Sequence, residues 1–376
     1  MTGRNGSAEI VELGSVPGFV VFDLPGAPLS AGGTRLAPDV SVAEVAVLAR
    51  SMTYKFAALG ERVGGAKAGL RGDPADRAGK AALMARFCAE VRPLTDAGRF
   101  LTGPDMGTTE EDFAPLRRGR AAPAAIRAVV AGLPFEDLLT GYGVAVAAET
   151  ALGGGTEGSK GSKGPKGSKG LDGRSAAIEG FGKVGGGVAR EIARRGGRVA
   201  AVSTVAGCIA DPSGLDVSRL LTLRRTHGDA CVLRYGRPVL PPHALFTEVN
   251  ADVLVPGTRP GTIGAQTARS LPPGVRVIAP AANAPYTAAA AEVLRQRGIV
   301  ALPDFVCNAG AVIGYRSAVD ATPDQVLADV EARIGELIQA ALGHPGGPLA
   351  GACEQAEGFL RSWWGEPPGA PFAPAD

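Results

Sequence analysis

SAAIEGFGKVGGGVAREIARRGGRVAAV, residues 175–202, decides how this chain is to be read. It runs from an apolar strand into a glycine-rich turn, then a helix, then a second strand. Gly180, Gly182 and Gly185 stand in GxGxxG spacing, with Lys183 and Val184 between the last two. Glycine permits the tight turn and lets the N-terminus of the helix approach a pyrophosphate, whose charge the helix dipole favours. Alone, GxGxxG is a weak signal. Here the strand before it, the helix after it and the second strand at the right distance make it a dinucleotide-binding turn. An acid at the end of the second strand would hold the ribose of NAD. This chain has Ser203 and Thr204, which do not repel a 2′-phosphate, so NAD and NADP both remain open as the cofactor.

Downstream, apolar runs at 252–255, 275–279 and 299–303 read as further strands, with a helix at 288–294 between the last two. Strands alternating with helices predict a doubly wound parallel sheet, whose ligands sit at strand ends. Those ends carry Pro280-Ala281-Ala282-Asn283 and Asp304 to Gly310. Pro323 to Leu342 is an amphipathic helix with Val326, Val330, Ile334 and Leu337 on one side, suited to packing on another domain or subunit. The Pro-rich tail from Gly365 is expected to fray. Ahead of the turn, Thr140 to Leu152 is helical in pattern. Glycines then recur every third residue in GSKGSKGPKGSKG, too few triplets for a triple helix, so 152–170 reads as a flexible cationic loop.

Residues 9–40 alternate short apolar runs with Gly and Pro, as strands and hairpins do, and contain Ala31-Gly32-Gly33-Thr34-Arg35. Ser41 and Glu44 form a capping-box pattern that starts a helix ending near Gly60. On it Leu48, Met52, Lys55 and Leu59 share a stripe, so Lys55 faces an apolar side. Burial there requires an anion; otherwise the lysine snorkels to water. Lys67 lies in GGAKAG, a run with little bulk that lets backbone or ligand approach. A lysine shut off from water loses proton affinity and can act as a base, whereas one in a solvated loop cannot. Asp76 to Arg92 reads as a core-packing helix. Asp105 sits in the turn GPDMG, before a short helix that Thr109 would cap, and is a turn former or an acid–base group according to its neighbours.

Composition narrows the classes. At 376 residues, two domains are expected. A net charge of +2 gives no reason to expect nucleic acid or an anionic membrane as partner. The five cysteines are scattered and odd in number, as in a reduced cytoplasmic protein, and no signal core or membrane-length apolar run is present. The three histidines are isolated, so no metal site is expected. No GxSxG elbow or phosphate-binding Walker loop occurs.

AGGTR (31–35), MTYK (52–55), GGAK (64–67), DMGTT (105–109), TGYGV (140–144), GFGKVG (180–185), AAN (281–283) and NAGAV (308–312) together resemble the glutamate/leucine/phenylalanine/valine dehydrogenase family in order and spacing. The resemblance covers about Ala31 to Tyr315. It implies an α/β protein of two domains separated by a cleft: a substrate and oligomerisation domain (1–139) and a Rossmann-type NAD(P) domain (140–320), with C-terminal helices (321–376) packing back on the first. It implies reversible oxidative deamination of an L-amino acid to a 2-oxo acid and ammonia by a homo-oligomer. In that family Lys55 corresponds to the lysine on the substrate α-carboxylate, Lys67 to the catalytic lysine, and Asp105 to the acid exchanging protons with the amine. Gly32, Gly33, Asn308, Val312 and Tyr315 fall at substrate positions, and Thr140, Ser203, Asn283 and Asn308 join the glycine turn at the cofactor. Glutamate-specific members carry a lysine where this chain has Ala31 and a serine where it has Tyr315, which implies a neutral, apolar or aromatic substrate. Glutamate, a specialised amino acid, or a non-catalytic nucleotide-binding or assembly role are the alternatives.

Overall fold

The computed structural model describes residues 8–116, 123–130, 133–153 and 170–374. By its internal contacts the chain forms two units, Met1–Ala121 with Cys353–Pro371, and Ala122–Ala352 with Phe372–Asp376.

The first unit holds β1 (Glu9–Glu12), β2 (Gly18–Phe22), β3 (Ser30–Leu36), α1 (Val42–Ala58), β4 (Gly64–Leu70), α2 (Arg77–Asp96) and β5 (Phe100–Pro104). Sheet order is β1-β2-β4-β3-β5, with β3 parallel to β4 and β5, and the β1–β2 and β2–β4 pairs antiparallel. All five residues of β2 are buried because both sheet faces are covered. Val20 and Phe22 join Leu83, Phe87 and Val91 of α2 on one face. Phe19 and Val21 join Val45 and Ala49 of α1 on the other. Each buried Phe, Val or Leu contributes roughly 1.5–3 kcal/mol. Ser41 caps α1 by accepting the Glu44 N–H at 3.2 Å, and the chain leaves it through Gly60 at φ +71°. Asp76 caps α2 in the same way. Thr109 does not cap its helix; Asp112 accepts the Thr109 N–H at 2.7 Å instead.

In the second unit β6 (Val129–Val130) and β7 (Leu133–Pro134) form a short pair before α3 (Phe135–Gly153). There follow β8 (Ser175–Glu179), α4 (Lys183–Arg194), β9 (Arg198–Thr204), β10 (Gly207–Ala210), α5 (Val217–His227), α6 (Cys231–Arg234), α7 (Ala244–Thr247), β11 (Val253–Val255), α8 (Ala265–Ser270), β12 (Val277–Ile278), α9 (Ala288–Gln296), β13 (Val300–Ala301), α10 (Asp304–Cys307), α11 (Gly310–Tyr315), α12 (Pro323–Leu342) and α13 (Pro348–Trp363), whose residues from Cys353 onward count with the first unit. Sheet order is β10-β9-β8-β11-β12-β13, parallel except for the antiparallel edge strand β10. This is the expected doubly wound sheet.

From Gly141 to Ala148 α3 is apolar and buried on every side. A Cβ on Gly141 would lie 2.4 Å from the Val188 nitrogen of α4, and one on Gly143 would lie 2.8 Å from the Cys307 carbonyl oxygen. The two glycines of TGYGV therefore let α3 sit against two neighbours at backbone contact.

Several expectations are displaced. The division expected at 139/140 falls at 121/122, because α3 starts at Phe135 and stays whole in the second unit. α12 packs on α3, within the second unit, and of residues 321–376 those from Cys353 to Pro371 belong to the first. Its buried stripe is Val326, Val330, Ile334 and Ile338, with Leu337 half-buried. Most of the 152–170 run, residues 154–169, lies outside the described residues. The tail from Gly365 is not frayed where it is described. The carbonyl of Pro368 accepts from Arg50 Nη1, and Ala373 N–H donates to Tyr286 O at 2.9 Å. No helix among the described residues is long and apolar enough to cross a membrane.

Candidate active site

The first unit places Lys67 in the middle of β4, not in a loop. Ala66, Ala68 and Leu70 point into the α2 side of the sheet, so the alternation of a strand turns Gly65, Lys67 and Gly69 toward α1. A Cβ on Gly65 would meet the Ala49 carbonyl oxygen at 1.9 Å, and one on Gly69 would meet the Phe19 ring at 2.8 Å. The small residues of GGAKAG thus admit a helix and a ring, and what approaches them is the protein itself.

Lys67 and Lys55 are each 5% exposed, which excludes both the solvated loop lysine and the snorkelling lysine. Lys67 Nζ forms an ion pair with Asp105 Oδ2. Asp105 follows β5 in a turn fixed by its N–H donating to Thr108 Oγ1 (2.9 Å), by Met106 N–H donating to Asp105 Oδ1 (2.6 Å), and by Gly107 at φ +80°. Gly33 closes the group, since a Cβ there would lie 3.0 Å from Asp105 Cβ and 3.2 Å from Lys67 Nζ. Gly32 admits the Ala66 carbonyl, which a Cβ would approach to 1.7 Å. Burial pushes the Asp105 carboxyl upward, but the charges of Lys67 and Arg35 and the Met106 N–H outweigh it and hold the group well below the usual carboxylate range.

Behind this pair runs a network with no obvious sequence signal. Asp23, 1% exposed, accepts from Arg50 Nε (2.5 Å) and Thr53 Oγ1 (2.6 Å), and Thr53 Oγ1 accepts the Gly65 N–H at 3.0 Å. It ties α1 to β4 two residues from Lys67. Sequence reading also passed over Arg35 as a site residue, although AGGTR ends in that cation.

In the second unit the three glycines divide the labour that a dinucleotide turn requires. Gly180, at φ +79°, makes the turn and donates its N–H to Ser203 O at 3.0 Å. A Cβ on Gly185 would lie 1.9 Å from the Gly180 carbonyl oxygen, so Gly185 packs helix on strand. At Gly182, the N-cap of α4, a Cβ would meet nothing nearer than Arg224 Nη2 at 4.0 Å, and no side chain caps the helix. That leaves an open helix N-terminus beside a guanidinium, which suits a phosphate. Lys183 is exposed, with Asp137 4.0 Å away, and Val184 is half-buried. β9 runs to Thr204, so Ser203 and Thr204 close the strand as expected, and Ser203 is 2% exposed. Thr204 follows it, its hydroxyl donating to Asp229 O at 2.8 Å.

The strand-end loops meet at two asparagines. Asn308 Nδ2 donates to Asn283 Oδ1 at 2.9 Å and to Ala281 O at 3.3 Å, while the buried Asn308 Oδ1 has no hydrogen-bond partner. An orphaned buried acceptor fits an incoming amide or hydroxyl donor. Gly310 starts α11 against α3, where a Cβ would lie 2.0 Å from Leu139 O and 3.3 Å from Thr140 N. Val312 and Tyr315 on α11 are half-buried, and the Tyr315 hydroxyl donates to Glu136 Oε1 at 2.8 Å. The structure therefore groups Gly33, Lys67 and Asp105 in one unit, and Asn283 with Asn308 in the other. No cluster of three or more His, Cys, Asp or Glu side chains able to hold a metal occurs among the described residues.

A family model described as Glutamate/Leucine/Phenylalanine/Valine dehydrogenase matches residues 132–328, and one described as Glu/Leu/Phe/Val dehydrogenase, dimerisation domain, matches residues 26–119. The chain is 30% identical over 302 residues to a glutamate dehydrogenase of Aeropyrum pernix, covering 75% of this chain and 66% of that protein. It is 32% identical over 299 residues to that of Thermotoga maritima, covering 75% and 67%. It thus spans about two thirds of the length of these curated relatives. Among solved structures, the hetero-hexameric glutamate dehydrogenase from Thermus thermophilus in its Leu-bound form superposes with TM-score 0.73 at 24% identity, over 95% of this chain and 89% of that one. The L-tryptophan dehydrogenase from Nostoc punctiforme superposes with TM-score 0.59 at 22% identity, over 94% and 97%. At such identities the two structures establish the shared fold.

Proposed function

The chain belongs to the glutamate/leucine/phenylalanine/valine dehydrogenase family, and we propose that it catalyses reversible NAD(P)-dependent oxidative deamination of an L-amino acid. In that reaction an amino acid, water and NAD(P)+ give a 2-oxo acid, ammonium, NAD(P)H and a proton. The observation that carries this reading is the buried Lys67–Asp105 pair. A lysine and a carboxylate in contact, largely shut off from water, can pass protons between a substrate amine and an incoming water.

The open N-terminus at Gly182 and the orphaned Asn308 Oδ1 fit a dinucleotide. NAD or NADP, the cofactors of this family, would accept the hydride from the substrate Cα. The chain's own residues do the rest. Buried on α1, Lys55 would hold the α-carboxylate, as the matching lysine of the family does. Lys67 would orient the attacking water and stabilise the developing oxyanion at the former Cα. Asp105, kept ionised by its two cations, would accept a proton from the substrate ammonium, and Lys67 and Asp105 would return protons as ammonia leaves.

For the substrate we infer a neutral amino acid, apolar or aromatic, because Ala31 occupies the place of the lysine that meets a γ-carboxylate in glutamate-specific members. A second carboxylate desolvated without a cation would cost several kcal/mol. Glutamate is the second reading, favoured by the names of the relatives 30% and 32% identical to this chain. A homo-oligomer in the cytoplasm completes the proposal. The test is a panel of L-amino acids and 2-oxo acids with ammonium, run separately with NAD and NADP. Turnover of branched or aromatic substrates above glutamate supports the substrate assignment, glutamate alone replaces it, and tight nucleotide binding with no turnover on any substrate favours a non-catalytic subunit.

A further inference from the structure

Asp105 has two oxygens with different surroundings. Oδ2 faces Lys67 Nζ from β4. Oδ1 accepts the Met106 N–H at 2.6 Å and lies 3.4 Å from Arg35 Nη2 of β3. The Arg35 side chain is only 7% exposed, its Nη1 is 2.5 Å from Glu44 Oε1 on α1, and its buried Nε has no hydrogen-bond partner. Glu44, Arg35, Asp105 and Lys67 therefore form a line of alternating charge across one sheet face. At 3.4 Å the Arg35–Asp105 hydrogen bond is weak, but Coulomb attraction falls only as the inverse of distance and persists away from water. The guanidinium is pulled the other way by Glu44 over the shorter contact.

We propose that Arg35 is a positioning residue for Asp105: it keeps Oδ1 out of the reaction, leaves Oδ2 as the oxygen that exchanges protons, and, restrained by Glu44, sets the pH at which the carboxylate protonates. The proposal rests on the reading of Asp105 as the proton acceptor for the substrate amine. The charges bearing on the Asp105 carboxylate are Lys67 from β4 and Arg35 from β3, with Glu44 from α1 acting through Arg35; from its own turn the Met106 N–H donates to Oδ1, while Thr108 Oγ1 holds the Asp105 backbone. The combined pull of Lys67 and Arg35, which overcomes the effect of burial on Asp105, agrees with this arrangement.

Two substitutions on this line have opposite signs. Arg35→Gln removes a cation and raises the protonation midpoint of Asp105; Glu44→Gln removes the anion that restrains the cation and lowers it. Arg35→Lys keeps the charge and stays close to wild type. The midpoint is read directly by NMR titration of protein labelled with ¹³C-aspartate, with Asp105 assigned through Asp105→Asn, and in parallel from the acid limb of kcat/KM for the best substrate of the panel. Arg35→Gln is expected to move both upward by about one pH unit or more, and Glu44→Gln to move both downward. An Asp105 midpoint unchanged in Arg35→Gln, or shifts of the same sign in the two variants, overturns the proposal. Should Arg35→Gln not fold, Arg35→Lys and Glu44→Gln decide it: a shift in the former together with none in the latter overturns it. Because the NMR arm does not depend on turnover, a wild-type enzyme inactive on every substrate would refute the dehydrogenase reading while Arg35 is still judged.

Discussion

Asp304 accepts a hydrogen bond from the backbone N–H of Ala284 at 2.8 Å, twenty residues away in sequence, and both groups are buried. Ala284, at φ 48°, is the one non-glycine residue at positive φ among those described. Such a conformation costs about 1–3 kcal/mol and persists where surrounding structure imposes it. The carboxyl group at the start of α10 thereby holds the loop that carries Asn283, the hydrogen-bond partner of Asn308.

Asp304→Ala should release that loop. Loss of a charge-assisted buried hydrogen bond predicts a stability loss of about 1.5–3 kcal/mol, together with weaker binding of NAD(P)H as Asn283 and Asn308 lose their orientation. Urea unfolding and fluorescence titration with the reduced nucleotide measure the two effects separately. Nucleotide affinity equal to wild type would remove Asn308 from the cofactor site.

The glycines of the turn separate binding from folding. Gly182→Val places its side chain in open space and should fold normally while nucleotide binding is lost, because the new group stands where a phosphate would come. Gly185→Ala drives a Cβ to 1.9 Å from the Gly180 carbonyl and should lower the melting temperature as well. Calorimetry with and without nucleotide distinguishes them; equal destabilisation of the two variants would contradict the division of roles.

Asp105 also predicts a pH dependence of stability. Its carboxyl is held below the ordinary value of 3.8 in the folded chain, so its ionised form stabilises the fold fully above that value, and the contribution is lost as the pH falls toward the folded value. Asp105→Asn should therefore be less stable than wild type by a constant margin from neutral pH down to about pH 4, and the margin should shrink below it. A margin growing with acidity would show the sign to be reversed.

Much of this was readable in advance because it rests on local rules. The glycine turn, the Ser41 cap of α1, the Pro323–Leu342 helix and the apolar stripe that Lys55 shares follow from spacing and steric requirements within a few residues, whereas spacing left open whether Lys55 is buried or snorkels. The remainder depends on contacts between distant segments. GGAKAG announced a close approach without saying that α1 makes it. Arg35 finds Asp105 seventy residues away, and Asp304 finds Ala284, only once the sheets have formed. The edge strand β10 was missed because Gly207–Ala210 is four residues long and has no alternating pattern. The tail looked frayed from its prolines, whereas carbonyl acceptors, which proline retains, are what Arg50 engages.

The measurement that bears most directly on the central claim compares wild type with Lys67→Ala for nucleotide reduction on the best substrate of the panel, with nucleotide affinity recorded alongside. Reduction should fall by at least about a thousandfold, in keeping with the loss of a group serving both proton transfer and oxyanion stabilisation, while the Kd for NAD(P)H stays within about threefold, since Lys67 belongs to the other unit's sheet. Nucleotide reduction in Lys67→Ala at the wild-type rate would contradict the assignment of catalysis to the Lys67–Asp105 pair.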